Sequence, residues 1–308
     1  MWMILAAIAI CAGYFIPIAG KTKIGRTLVW ILPFILITTG YLFVKDESPG
    51  FKMLVLIFLL FIGMKIVATT YRYQGNNRLS FFRWLLFTLG WAGMDPLPWE
   101  KSNALKIKNN TSILKSGILS IAIGISVLYM LAYLLKHLLL PSYLIGLLSF
   151  AGFIMLFHTG LFNVAAWFWS LFGIHLNPLM ETPYKAESLS SFWGKHWNIA
   201  FIEMTRITIF KPLARKGKPQ LALFLSFIVS GIFHEVALSL PVNAYFGLPF
   251  LYFTIQALLV LYEKNATKNW TIIQKRIWIW SCLLIPFPLL FHPAFVNGVL
   301  LEVLKSLL

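Results

Sequence analysis

Long apolar segments, each about the length needed to cross a lipid bilayer, follow one another along most of this 308-residue chain. A transmembrane helix needs about 20 mostly apolar residues, within a range of about 17–25. Inside lipid every backbone polar group must be paired within the protein, so segments of this length are confined to helices. The sequence therefore predicts an all-α polytopic membrane protein. We expect about nine transmembrane helices, at Met1–Ile18, Leu28–Val44, Met53–Thr70, Ile113–Leu135, Tyr143–Phe162, Leu221–Leu240, Phe246–Tyr262, Ile277–Phe291 and Phe295–Leu308.

Two further segments fit the interface better than a span. Leu79–Trp91 is too short to cross a bilayer and carries Arg83, and the aromatic stretch after Phe162 continues the fifth span along the interface. The composition excludes an ordinary soluble domain, because only 12% of the residues are charged, against about a quarter in soluble proteins. No internal repeat or low-complexity linker interrupts the chain. We therefore expect one membrane-embedded domain over residues 1–308.

The formal net charge of +16 would suggest nucleic acid as a partner of a soluble protein, but its placement indicates membrane topology. Twenty-two of the 26 Lys and Arg residues fall in the loops after the first, third, fifth and seventh predicted spans or at the C-terminal end. Cytoplasmic loops carry an excess of such residues. We therefore expect the N-terminus outside, the long basic loops and the C-terminus in the cytoplasm, and membrane lipids rather than nucleic acid as surroundings.

The predicted span at Leu221–Leu240 carries adjacent ionisable residues, His234 and Glu235. Ionisable residues inside a span are costly and mark a functional site or a buried partner. Imidazole can act as a general base at cytoplasmic pH. Adjacent residues on a helix do not face each other, so Glu235 should pair with another helix, whereas Ser230 lies on the face of His234. A histidine bonded within the bundle for structure alone is the alternative.

A second unusual stretch, Ser191–Asn198, is rich in indole and imidazole groups and precedes an amphipathic run. Trp193 and Trp197 are candidates to wall a tunnel, and Asn198 to hydrogen-bond a carbonyl or orient a base. An aromatic belt that anchors a loop at the headgroup level would explain the same residues. We expect this stretch to meet the His234 helix and form one site with it.

Weaker candidates lie elsewhere. Asp95, in Gly-Met-Asp-Pro, is suited to cap a turn, since Asp before Pro favours turn initiation. His158 in the fifth span is a candidate to line a substrate tunnel or to be satisfied within the bundle. The histidines show no His-x-x-x-His spacing, which argues against a metal-dependent lipid desaturase, and we predict no metal site.

The paired motifs resemble a known family. Phe192-Trp-Gly-Lys-His-Trp-Asn198, followed by Ser230-Gly-Ile-Phe-His-Glu235, resembles the signatures of the membrane-bound O-acyltransferases, in particular their wax-synthase-like branch. The resemblance covers roughly residues 71–295, and His196 stands where the family often has arginine. The family's catalytic histidine corresponds to His234 and its asparagine to Asn198.

The resemblance implies transfer of an acyl group from acyl-CoA, as co-substrate without a further cofactor, to a lipophilic alcohol. A long-chain fatty alcohol, giving a wax ester, is the first expectation, and a sterol or diacylglycerol would use the same chemistry. His234 would be the general base, and Asn198 would donate a hydrogen bond to the developing oxyanion or hold the acyl donor. Trp193, Trp197, Ser230, Glu235, His158 and Asp95 are candidate substrate-binding residues.

Two other functions remain open at this stage. One is an acyltransferase of the same type that acts on an extracytoplasmic polysaccharide or protein hydroxyl. The other is a proton-coupled transporter with a relay through His234 and Glu235. Transporters often contain repeats and paired broken helices, and the sequence shows neither.

Overall fold

The computed structural model describes residues 1–100, 111–180, 182–266 and 270–308, without the side chain of Asn265. Within these ranges every regular element is a helix. The main helices are α1 (Trp2–Lys21), α2 (Lys23–Val44), α3 (Pro49–Tyr73), α4 (Phe81–Gly90), α5 (Thr111–Lys136), α6 (Ser142–Ser170), α7 (residues 199–214), α8 (Pro219–Val242), α9 (Leu248–Ala266), α10 (Ile272–Leu290) and α11 (Pro293–Lys305).

The expectation of nine spans is wrong for the described part of the chain. Six helices there are long and apolar enough to cross a membrane: α1, α2, α3, α5, α6 and α8. The number rises to seven if α10 and α11 count as one bent span. The eighth and ninth predicted spans are this pair, which bends by 69°. Helix α9 has 19 residues, but Gln256 and the polar end at Glu263 and Lys264 lower its hydropathy. The chain remains a multi-pass membrane protein.

The C-terminal helix lies on the opposite side of the bundle from the first loop. Ser48–Gly50, at the start of α3, and residues of α11 line a shared cavity of about 610 Å³. A Cβ at Gly75, just beyond the other end of α3, would meet the Lys21 side chain. We expected the C-terminal end on the side of the first loop. The 69° bend explains the difference, because it turns α11 along one side instead of back across the bundle. Which side faces the cytoplasm stays a prediction.

The fifth predicted span is longer than expected. Helix α6 continues without a break to Ser170, whereas we expected a span that ends at Phe162. A π-helical segment at Ile154–Leu161 widens α6 around His158. Helix α4 has 10 residues, too few to cross a bilayer, and Phe81, Phe82 and Leu89 are exposed on it, as suits an interfacial helix.

Helices α8 and α9 pack closely because a glycine lies between them. A Cβ at Gly231 would be 3.0 Å from the Cα of Phe250. Small residues let helix backbones approach in membranes. The contact brings the His234 ring against Phe253, with ring centroids 4.3 Å apart. Directly after His234 the helix widens into a π-helical turn, Glu235–Ser239, of a kind frequently found at functional sites.

Candidate active site

The two unusual stretches of the sequence line one cavity. This cavity has a volume of about 480 Å³. Trp193, Trp197 and Asn198 line it from the first stretch, and Ser230 and His234 from the second. The expectation that the two stretches meet is therefore confirmed as geometry. The cavity lies between the segment 190–210 and the facing helices α8 and α9.

The backbone contact of His234 fixes which ring nitrogen carries the proton. Nδ1 lies 2.7 Å from the carbonyl oxygen of Ser230, one turn earlier on α8. A carbonyl only accepts, so Nδ1–H donates and the neutral ring keeps an unprotonated Nε2. The Ser230 hydroxyl is 3.5 Å from Nδ1, a nitrogen that cannot take its proton while it donates to the carbonyl. The arrangement therefore offers a base at Nε2 and does not activate Ser230 as a nucleophile.

Asn198 combines a turn conformation with a helix cap. Its φ of 48° lies in the left-handed region, which Asn tolerates better than most residues. Its Oδ1 accepts a hydrogen bond of 3.3 Å from the backbone N–H of Phe201 and so caps α7. Within the described part of the chain Nδ2 has no protein partner. The cap orients the side chain and leaves an amide donor beside the cavity.

The apolar wall of the cavity consists mainly of aromatic rings. Trp193 packs edge-on against Phe227 at 5.8 Å and lies 5.7 Å from Phe253. Its indole N–H donates to Oε1 of Gln256 at 3.1 Å. Trp197 stacks on Phe192 with an interplanar angle of 18°. Gln256 and Phe192, which are not among the lining residues, thus contact the two tryptophans from outside the cavity.

Two exposed cations line the same cavity. Lys195 lies two residues after Trp193 in the sequence, and Arg206 lies on α7. Four further basic residues near in the chain do not line the cavity: Lys211, Arg215, Lys216 and Lys218. The cavity is therefore apolar around His234 and positively charged at its exposed part.

Three predicted site residues lie outside the cavity. Oε1 of Glu235 accepts the backbone N–H groups of Gly247 and Phe250, at 3.0 and 2.9 Å, and so caps α9. It pairs with another helix, as expected, rather than with His234. Asp95 pairs with Arg72 at 2.5 Å and accepts the N–H of Leu97, which is a turn contact. His158 lies behind the cavity wall, with its ring 6.4 Å from the ring of Trp197 and stacked on it.

The cap on α9 predicts different effects for two substitutions of Glu235. Gln keeps an oxygen acceptor for both N–H groups, so Glu235→Gln is expected to melt near the wild-type temperature in detergent. Glu235→Ala removes the acceptor and is expected to lower the free energy of unfolding by about 1 kcal/mol. Equal destabilisation by both substitutions would show that the charge, and not the acceptor, holds the start of α9.

Two residues that organise the site were missed in the sequence. Nζ of Lys65, on α3, is buried and donates to the carbonyls of Phe87, Trp91 and Gly93 at 2.7, 2.7 and 2.9 Å. Oε2 of Glu203, on α7, accepts the backbone N–H groups of Met94 and Asp95. Burial raises the pKa of Glu203. A lysine within a span was the available signal for Lys65, since such residues mark buried partners.

The loop at residues 91–96 is consequently held from both sides. Lys65 binds its carbonyl groups and Glu203 binds its amide groups. Glu203 shares α7 with the cavity residues Phe201 and Arg206. The loop therefore links α3 to the wall of the cavity.

Comparison with known proteins agrees with the motifs. The model of the membrane bound O-acyl transferase family matches residues 176–255, which include both stretches. The chain is 37% identical to acyl-CoA–sterol O-acyltransferase 1 of Arabidopsis thaliana over 20% of each chain. It is 29% identical to the probable long-chain-alcohol O-fatty-acyltransferase 3 of that plant, over 51% of this chain and 52% of the relative. For the probable long-chain-alcohol O-fatty-acyltransferase 2, identity is 27% over 68% and 70%.

The chain thus spans a fifth of the first of these relatives and about half of the second. The family match, the shared motifs and the helical architecture point the same way. Over residues 176–255 the chain is similar to the membrane-bound O-acyltransferase family, and its relatives place that similarity in the wax-synthase-like branch.

Proposed function

We propose that this protein transfers an acyl group from acyl-CoA to the hydroxyl of a lipophilic alcohol, with a long-chain fatty alcohol as acceptor and a wax ester as product. The observation that carries the proposal is the geometry of His234. Its Nδ1–H donates to the Ser230 carbonyl, which leaves Nε2 as a base beside an apolar cavity. The match of residues 176–255 to the family model supports the reaction class.

In the proposed step Nε2 of His234 takes the hydroxyl proton as the alcohol oxygen attacks the thioester carbonyl carbon. The C–S bond then breaks, and the imidazolium returns the proton to the CoA thiolate. No protein nucleophile takes part, because the alcohol attacks directly. The hydrogen bond from Nδ1 to Ser230 supports the imidazolium that forms in between, since both ring nitrogens then donate.

Asn198 is placed to assist the same step. The amide Nδ2 is a donor without a protein partner in the described residues, beside the cavity that His234 lines. A fixed donor aimed at the developing oxyanion stabilises the transition state more than the ground state. We assign this role to Asn198.

Acyl-CoA as donor accounts for the uneven polarity of the cavity. Its phosphate groups suit the exposed cations Lys195 and Arg206, since Lys and Arg form charge-assisted hydrogen bonds to phosphate. Its acyl chain suits the aromatic wall formed by Trp193, Phe227 and Phe253. The names of two relatives specify a long-chain alcohol as acceptor and that of another a sterol, so both belong in the test.

The test is ester formation in membranes that express the protein. Labelled palmitoyl-CoA is supplied with fatty alcohols, sterols or diacylglycerol in turn, and membranes without the protein are the control. We expect labelled wax ester to exceed the control and the other esters. Preference for a sterol or diacylglycerol would correct the acceptor. Hydrolysis or no transfer with any lipid alcohol would contradict the proposal.

Substitution of Asn198 separates its cap from its donor. Asn198→Asp keeps an oxygen that caps α7 and tolerates the positive φ, but replaces the Nδ2 donor with a carboxylate oxygen. We expect an unchanged melting temperature and a loss of kcat of about a hundredfold, the scale for one oxyanion donor. Asn198→Ala, which also loses the cap, should melt at a lower temperature. Full activity in Asn198→Asp would exclude a role of the amide donor.

A further inference from the structure

A proline in α10 leaves one backbone carbonyl without its helical partner. In an α-helix the carbonyl of Cys282 would accept from the N–H of residue 286. Residue 286 is proline, which has no N–H. Nε2 of Gln256, on α9, donates to this carbonyl at 2.7 Å instead. A buried carbonyl without a partner is costly, so the contact ties Gln256 to α10.

The second contact of Gln256 reaches the cavity wall. Its Oε1 accepts the indole N–H of Trp193 at 3.1 Å. The carbonyl of Cys282 can only accept and the indole can only donate, so the two partners define the orientation of the amide. Gln256 is fully buried, with 0% of its surface exposed. Glutamine suits this position because it supplies a donor and an acceptor without a charge.

The position of Trp193 depends on this link. Trp193 lies in the π-helical turn Phe192–His196, and its neighbours Gly194 and Lys195 are exposed, so the turn is packed on one side only. Phe253 lies three residues before Gln256 on the same face of α9 and contacts the His234 ring. One face of α9 therefore contacts both the His234 ring, through Phe253, and Trp193, through Phe253 and Gln256.

We infer that Gln256 is a positioning residue that determines acyl-chain specificity by holding Trp193 as a fixed wall of the cavity. The inference rests on the proposed function. The occupant of this wall is the acyl chain of the donor, because Trp193 and the His234 ring both contact Phe253 and the acyl chain begins at the thioester carbonyl that reacts beside His234.

The experiment compares the wild type with Gln256→Leu, which removes both hydrogen bonds at similar side-chain size. The measured quantity is the ratio of kcat/KM between lauroyl-CoA, palmitoyl-CoA and arachidoyl-CoA at one fixed alcohol. This ratio does not depend on how much of each preparation is folded. We expect a shift of about tenfold, the scale on which a change of one methylene in an apolar pocket alters discrimination. Gln220→Leu, at an exposed position on α8, is the matched control and should leave the ratio unchanged.

Two measurements make the assignment specific. In a Trp193→Phe background, which lacks the indole donor, Gln256→Leu should change the ratio less than in the wild type. S-alkyl-CoA thioethers of the same chain lengths bind without reacting, and their binding is measured by the rise in melting temperature in detergent. The preference among chain lengths should shift in the same way as the kcat/KM ratio. Binding that shifts in a protein that forms no ester would retain the inference and refute the reaction. Ratios and binding unchanged by Gln256→Leu would overturn it.

Discussion

His234→Ala is expected to lower kcat for ester formation by about 10²–10⁴-fold, the contribution of a positioned general base. The physical reason is the loss of Nε2, the nitrogen left unprotonated by the bond from Nδ1 to Ser230. KM for acyl-CoA should change little, because the cations and aromatic rings of the cavity remain. The measurement is initial rates at matched amounts of folded protein.

The matched control is His137→Ala, which removes an exposed imidazole that contacts the ring of Tyr133 and is not among the residues that line the cavity. It should keep the wild-type rate. His234→Gln is a second test, because the amide side chain can still donate to the Ser230 carbonyl but offers no base. A rate near wild type in His234→Gln would refute general-base catalysis at this residue, even with a low rate in His234→Ala.

Lys65→Met is expected to lower the free energy of unfolding by about 3 kcal/mol. Three buried carbonyls lose their hydrogen-bond donor, at a cost of about 1–3 kcal/mol each. Part of this cost is offset because the ammonium group no longer has to be buried. The carbonyls of Phe87, Trp91 and Gly93 are the ones affected. Phe87 lies near the end of α4, where a cation also complements the helix dipole. The measurement is the melting temperature and the folded fraction in detergent.

Lys52→Met, on the same helix, is the control for this substitution. Lys52 makes an exposed contact of 3.3 Å to the carbonyl of Lys45, so its loss should change stability by less than about 0.5 kcal/mol. Lys65→Met should also reduce activity per folded molecule, because the loop at residues 91–96 is then held only by Glu203 of α7. A melting temperature equal to that of Lys52→Met would show that the three carbonyls find other partners.

Several features of the site follow from local sequence. Apolar segments of about 20 residues predict membrane helices, and six of the nine predicted spans correspond to long apolar helices. The helical period separates His234 from Glu235, and Glu235 does cap another helix. The two motifs indicated one site because each places unusual polar and aromatic groups next to an apolar segment, and both line one cavity.

Other features depend on contacts that no local pattern contains. Hydropathy counts residues along one segment, so it could not show that the 69° bend between α10 and α11 joins two predicted spans and moves the C-terminal helix to the other side. The tautomer of His234 depends on the distance from Nδ1 to one carbonyl. Gln256 and Trp193 are 63 residues apart in sequence, and Glu203 and Met94 are 109 apart.

The sequence by itself determined the class of fold, the helices that carry the site and the residues able to react. In lipid the backbone N–H and C=O groups of each apolar segment must form hydrogen bonds with each other, so the segment becomes a helix whatever the rest of the chain does. The tertiary structure decided which polar groups meet, because a buried donor or acceptor must find a partner wherever the packed helices bring one. Lys65, Glu203 and Gln256 acquired their roles in this way.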